Sequence, residues 1–209
     1  MKIKWLGNAS FIITTKKKII YVDPYIIPDK PPKADIILVT HEHYDHCDKK
    51  NIRIISKPNT AIIAGVEASK RIEDSAVVRA GDLINLHEIH IKAVEAYNNK
   101  KHFHKKGDGV GYLIKSGDKT VYHAGSTDLI AEMKHLGEVT LALLPVGGKY
   151  TMNAAEAAES VKVIKPAHAM PMHWGSIIGS KADADYFKKK VEKETKTRVI
   201  TPGEDELSI

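Results

Sequence analysis

Apolar residues recur along this chain in short runs whose period changes along its length. Ile3 to Leu6, Ser10 to Thr14 and Lys18 to Val22 are strand-like runs separated by turn residues, and Asp23-Pro24 ends the third. Ile36-Ile37-Leu38-Val39 is apolar without interruption and reads as a buried strand that Thr40 closes. The spacing then predicts a helix over Asp48 to Ser56, a strand over Ala61 to Ala64 and a short helix over Val66 to Ile72. Val77-Val78, Leu83 to Leu86 and Ile89 to Val94 return to strand.

A polar stretch rich in Lys, His and Gly runs from Tyr97 to Gly109, long for a plain hairpin and of the kind that often carries function. Beyond it, Val110 to Lys115 and Thr120 to His123 form a hairpin around Ser116-Gly117-Asp118. Thr127 to Leu136 reads as a helix, Leu141 to Leu144 as a buried strand, and Asn153 caps an Ala-rich helix that runs to Ile164. Ala167 to Met170 is a strand, Asp183 starts a last helix with Phe187 and Val191 on its apolar face, and Arg198 to Ile200 and Leu207 to Ile209 finish as strands. Strands come early in each half and helices late. That order predicts an α/β (α+β) fold of two packed sheets with helices outside. No segment has the composition of a linker, so one domain over residues 1–209 is expected.

Composition narrows the picture. An apolar content of 43% over 209 residues supplies a large core. Lys, Asp and Pro interrupt every apolar run before it reaches the length of a membrane span, and the N-terminal Ile3-Lys4-Trp5-Leu6 reads as strand rather than signal peptide. The single cysteine, Cys47, leaves no intrachain disulfide and no thiolate-rich zinc knuckle, and a reducing cytoplasm is the expected compartment. The net charge of +6 would attract an anionic partner. The lysines are dispersed with few aromatics among them, which argues for a solvated surface rather than a nucleic-acid track. The absence of Gln beside abundant Lys, Glu and Ile is a thermophile-like bias. Nothing in the composition fixes an oligomeric state.

The chemistry concentrates in His41-Glu42-His43-Tyr44-Asp45-His46, directly after the buried strand. Imidazole and carboxylate are ligands for a borderline divalent cation such as zinc. If the extended backbone continues, His41, His43 and Asp45 point one way and His46 another, so one loop can feed two neighbouring metal positions. Elsewhere, His173 stands after a predicted strand beside Gly175 and is a candidate ligand, as is His104 in the long polar loop, with His102 two residues before it. His123, at a strand end, reads as near the site. His168 reads as structural, and His87, His90 and His135 as surface residues. Asp23 is placed to orient a ligand imidazole. Tyr150 and Thr151, after the strand ending at Pro145, are candidates for the pocket wall. Cys47 reads as a small buried side chain. No nucleophile elbow, P-loop or dinucleotide fingerprint is present in its required context.

In order along the chain, Gly7-Asn8-Ala9-Ser10, Asp23-Pro24, Thr40-His41-Glu42-His43-Tyr44-Asp45-His46, Tyr122-His123-Ala124-Gly125-Ser126-Thr127-Asp128 and Met170-Pro171-Met172-His173-Trp174-Gly175 resemble the metallo-β-lactamase superfamily. The resemblance covers nearly the whole chain. It is strongest to the small metal-dependent hydrolases, relatives of the lactonase that opens ascorbate-6-phosphate and of the phospholipase D that acts on N-acyl-ethanolamine phospholipids. It implies a four-layer αββα sandwich, His41 and His43 as ligands of a first cation, and Asp45, His46 and His173 as ligands of a second. The family's third first-site histidine follows the strand that here ends Glu95-Ala96-Tyr97-Asn98. Asn98 stands near that place, and His104 is the imidazole able to substitute. The family's bridging aspartate sits in Gly-Asp-Thr, and here the motif is Gly125-Ser126-Thr127. A serine offsets the repulsion between two dications poorly, so a mononuclear or unevenly occupied centre is as expected as a full pair.

The resemblance therefore implies a hydrolase holding one or two Zn2+ ions, with Mn2+ or Fe2+ as alternatives. A metal-bound water, its pKa lowered, would attack a small anionic ester, lactone or phosphodiester. Asp45 would hold the metal and orient the water, and His123 would steady the developing charge. Two rival readings remain open. Ser126 motivates a member of the same fold that binds metal or ligand with little turnover. An RNA-processing nuclease is the other; the extra RNA-gripping domain of such relatives is missing, and strong salt-dependent RNA binding would be its signature.

Overall fold

A computed structural model of the chain describes residues 1–201 and 207–209. It contains two seven-stranded sheets packed face to face. The first runs in the order β14-β1-β2-β3-β4-β5-β6, with β1 Lys2–Gly7, β2 Ser10–Thr14, β3 Ile19–Val22, β4 Ile36–Val39, β5 Ala61–Gly65, β6 Ala76–Val78 and β14 Leu207–Ser208. The second runs β13-β12-β11-β10-β9-β8-β7, with β7 Leu83–Leu86, β8 Ile89–Glu95, β9 Val110–Ser116, β10 Lys119–His123, β11 Leu141–Pro145, β12 His168–Met172 and β13 Arg198–Val199. Each sheet is antiparallel on one side and parallel on the other, the change falling at β3 in the first and β10 in the second. The two halves thus repeat one plan, and β14 occupies beside β1 the place that β7 holds beside β8.

Burial follows the two-residue period of a strand. Phe11 and Ile13, Ile20 and Val22, and Ile36 and Leu38 face the core between the sheets. Ile12, Tyr21, Ile37 and Val39 face outward into a second apolar cluster, covered by helix α1 (Lys49–Ile55) through Ile52 and Ile55. That double burial explains why β4 is apolar throughout. On β8, Ile89, Ile91 and Ala93 face the core while His90 and Lys92 are exposed, so the outer face there is open to solvent. Helices α3 (Ala154–Ile164) and α4 (Lys181–Glu194) supply further apolar faces, α4 through Phe187 and Val191. Among the described residues no helix is long and apolar enough to cross a membrane.

Four expected elements differ. Thr127 to Leu136 forms no α-helix; only Ala131–His135 turns, as a 3-10 helix. Thr127 Oγ1 instead bonds the Tyr97 carbonyl, and the Asp128 carboxylate accepts from the backbone N–H groups of Asn99 and Lys100. Such side-chain bonds compete with helix formation. The helix expected over Val66 to Ile72 is one turn, α2 (Val66–Ser69). The last helix starts at Lys181, and Asp183 is its third residue, accepting from the Ser180 N–H and hydroxyl. Strand β12 also runs on through Pro171, which pairs with Leu144 on β11 but lies past the reach of β13, so its missing N–H breaks no ladder there.

Candidate metal centre

The candidate residues gather at one edge of the sandwich, where loops leave the C-terminal ends of strands from both sheets. Asp23 follows β3, the histidine loop follows β4, Asn98 and His104 follow β8, Ser126 follows β10 and His173 follows β12. Ligand sites outside the carboxyl ends of parallel strands are a general property of such sheets.

Two sets of ligand-type atoms result. His41, His43 and His104 form one; Asp45, His46 and His173 form the other; within each, the candidate atoms lie within 4.8 Å of one another. The sets share a wall, with the His41 and His46 rings 4.0 Å apart between centroids. The extended backbone expected through Asp45 stops at His43. His46 N and Cys47 N both donate to the His43 carbonyl, at 3.0 and 2.8 Å, and that turn carries Asp45 to the second set beside His46.

Asp23 and Thr40 orient both inner rings. The Asp23 carboxylate accepts from Thr40 N, Thr40 Oγ1 and His46 Nδ1, each at 2.7 Å. Since Thr40 Oγ1 spends its proton on Asp23, it accepts from His41 Nδ1 at 2.9 Å. Both imidazoles therefore turn a bare Nε2 toward the cavity, the tautomer a cation requires. Close approach of β5 and β9 to this corner needs glycine: a Cβ on Gly65 would stand 2.5 Å from the Thr40 carbonyl, and one on Gly109 would stand 2.8 Å from the His41 Cβ.

Asn98 orients the third imidazole. Its Oδ1 accepts from His104 N and Nδ1, while its Nδ2 donates to Asp128 and to the Tyr150 carbonyl. Asn98 thus stands behind His104, and His104 joins the first set. Asp128 faces this loop, also receiving Lys101 Nζ at 2.7 Å, and so does not replace the missing bridge. Ser126 is buried with its hydroxyl 3.4 Å from His46 Nε2, and it lines a small pocket with His41, Glu42, Phe103 and His104.

Backbone strain collects here. Asn8, Asp23 and His173 hold φ of 49°, 46° and 61°, in the left-handed region that costs an ordinary residue about 1–2 kcal/mol. Asn8 was not singled out as a functional residue from sequence. Its Nδ2 donates to both the carboxylate and the carbonyl of Asp45 at 3.0 Å, and its carbonyl accepts from His173 N at 2.8 Å. Its sequence signals are Gly7 beside it, the mark of a tight turn, and its place in the Gly7-Asn8-Ala9-Ser10 motif. Thr40 opens the Thr40–His46 motif, but the sequence otherwise marks it only as the end of a strand.

His123 differs from its expected place beside the reacting atoms. It is fully buried, donates from Nε2 to the Ala9 carbonyl at 2.9 Å and accepts at Nδ1 from Gly125 N at 3.2 Å. Nε2 ties β10 to the N-terminal turn, and Nδ1 holds the Gly125 turn that follows β10. Thr151 is buried, its carbonyl holding Lys101. Tyr150 is half-buried, its ring against Phe103. His102, His87, His90 and His135 are exposed. Cys47 packs under α1, where burial chiefly pushes its thiol up to about 11.

The donor set fits a cation better than protons. Burial, reinforced by neighbouring imidazoles, holds His41 well below the ordinary histidine range and brings His104 down to about 3. Burial works against the charged form of His46, but the Asp23 carboxylate outweighs it and raises its pKa. Asp45 remains ionised, burial being overcome by hydrogen bonding to His173 and the charge of His46. His41 Nε2 is buried without a hydrogen-bond partner. An orphaned lone pair facing two other imidazoles has an energetic cost that a coordinated cation removes.

Residues 2–173 match the family model described as the beta-lactamase superfamily domain. A metal-dependent hydrolase of the UPF0173 group from Staphylothermus marinus is 35% identical, the match covering 97% of this chain and 96% of that protein. One from Pyrococcus furiosus is 32% identical over 98% of both. A crystal structure from Parabacteroides distasonis, described as a metal-dependent hydrolase, superposes with a TM-score of 0.87 at 32% identity, covering 96% of this chain and 91% of that one. The metallo hydrolase Igni18 of Ignicoccus hospitalis superposes with a TM-score of 0.80 at 28% identity, covering 100% and 98%.

Proposed function

The chain belongs to the β-lactamase superfamily, as one of its metal-dependent hydrolases, and on that premise we propose that it hydrolyses a small anionic ester, lactone or phosphodiester at a one- or two-cation centre. His41, His43 and His104 hold the first cation, and Asp45, His46 and His173 the second. The observation that carries this reading is the pair of three-ligand sets sharing the His41–His46 wall. Three imidazoles with one open side suit Zn2+; the carboxylate in the second set also admits Mn2+ or Fe2+. When bound, the cation lowers the pKa of water and polarises the group to be cut.

The protein's own contributions follow from its hydrogen bonds. Asp23 and Thr40 fix the inner rings before any ligand arrives. Asp45, held ionised and gripped by Asn8, orients the attacking water. Ser126 places a neutral hydroxyl where a bridging carboxylate would offset the repulsion of two cations, so the second set binds more weakly than the first. His123 stays neutral, its pKa lowered by burial, and acts by holding the Gly125–Ser126 turn.

The test is cation stoichiometry measured alongside turnover on a panel of phosphodiesters and lactones. Loading of the first set with turnover on at least one of them is expected. Full loading with no turnover would favour the alternative that Ser126 motivates, a member that binds cation and ligand without efficient hydrolysis.

A further inference from the structure

Four of the thirteen aromatic side chains of Phe, Trp and Tyr collect at the mouth of the candidate metal centre, and they come from four different loops. Tyr25 follows β3 and Tyr44 follows β4; their rings meet edge to face at 5.9 Å. Phe103 belongs to the loop after β8 and Tyr150 to the loop after β11; their rings meet at 4.8 Å and 90°. Each pair adjoins the candidate ligands through its own loop: Tyr44 belongs to the histidine loop and Phe103 directly precedes His104. Phe103 lines the pocket with His41, His104 and Ser126, Tyr44 lies between His43 and Asp45, and the Tyr150 carbonyl accepts from Asn98, the residue that also holds His104.

These rings are poorly covered for their size. Tyr44 is 64% exposed and Phe103 49%. Apolar groups clustered in the open beside a pocket of polar atoms mark a contact surface. A charge sits in the same place: Lys149 Nζ lies over the Tyr150 ring at 5.2 Å and has no carboxylate partner among the described residues. By contrast, Lys101 and Lys106 nearby are both ion-paired. An unpaired ammonium beside edge-to-face rings suits a ligand that is flat and apolar in one part and negatively charged in the next.

We propose that this mouth is an aromatic clamp that selects anionic substrates carrying a planar ring, with Tyr44, Phe103 and Tyr150 gripping the ring and Lys149 meeting the charge. The proposal rests on the metal-centre reading above, which supplies the floor on which the scissile group sits. It narrows the substrate from small anions in general to aryl or heteroaryl esters and phosphodiesters.

The test is equilibrium binding of phenylphosphonate, cyclohexylphosphonate and methylphosphonate to the zinc-loaded protein by titration calorimetry, with zinc stoichiometry measured in parallel. Phenylphosphonate should bind about 10-fold more tightly than methylphosphonate, and more tightly than the non-planar cyclohexyl compound. Phe103→Ala and Tyr44→Ala should each remove most of that preference with zinc stoichiometry unchanged, and Lys149→Met should weaken all three ligands by a similar factor. Equal binding of the three phosphonates by the wild-type protein would overturn the clamp and leave the metal centre standing. Zinc binding that is absent in the wild-type protein would remove the metal-centre reading, and the clamp with it.

Discussion

The oxygen of the Asn98 side chain accepts two hydrogen bonds from one residue, His104, at 3.0 Å from its backbone nitrogen and 3.1 Å from Nδ1. A single amide thus sets both the backbone path and the ring orientation of the loop histidine, and leaves Nε2 free.

Truncating that amide should loosen the first cation. Asn98→Ala is expected to lower first-set affinity by roughly 10- to 100-fold, the usual effect of losing the partner behind a ligand imidazole. His104→Ala should lower it further. Competition against a chromophoric chelator measures both, and unchanged affinity in the two variants would exclude His104 from the centre.

Ser126→Asp should strengthen the second set. A carboxylate at this buried position, where the native hydroxyl lies 3.4 Å from His46 Nε2, would lie between the two cations. Native mass spectrometry should then find two cations where the wild type holds the second only partly. Unchanged occupancy would mean that another group already bridges.

Acidification should strip the second cation first. A cation displaces protons, so a ligand whose pKa is raised loses affinity as pH falls through that value. His46 is raised, whereas His41 and His104 are depressed and stay unprotonated well below neutrality. Cation stoichiometry followed from pH 8 downward should pass through a one-cation stage, and simultaneous loss of both would contradict it.

Asp23→Ala should unfold the corner as well as disturb the centre. It removes one partner of a buried pair and three acceptor contacts at 2.7 Å. The expected cost is about 3 kcal/mol, seen as a fall in Tm of roughly 6–12 °C in the metal-free protein. A Tm within one degree of wild type would show that Thr40 and His46 find other partners.

Much of this could be read from residue order. The strand alternation, the double-sided burial of β4 and the clustering of His41, His43, Asp45, His46 and His173 follow from local pattern and ligand chemistry. What stayed hidden depends on contacts distant in sequence. Thr127 and Asp128 look like the start of a helix until the loop from Tyr97 offers their side chains its backbone groups. His123 looks like a site residue because it stands at a strand end. Its actual partner, the Ala9 carbonyl, lies 114 residues away. Asn8 carries no chemical signature beyond the Gly7-Asn8-Ala9-Ser10 turn, since its role is defined by the Asp45 carboxylate 37 residues on.

The arrangement also has a mechanical meaning. His41 and His43 hang from one sheet and His104 from the other; Asp45 and His46 hang from the first and His173 from the second. A cation held by either set would therefore be a rivet driven through both plates of the sandwich at the same rim. Occupancy and folding would then be linked: free metal concentration would set how firmly the plates are joined, by the mass action that governs any ligand of the native state. Chelation should let that rim open while the apolar seam holds the remainder. The protein's resistance to heat would then report the metal supply of its surroundings.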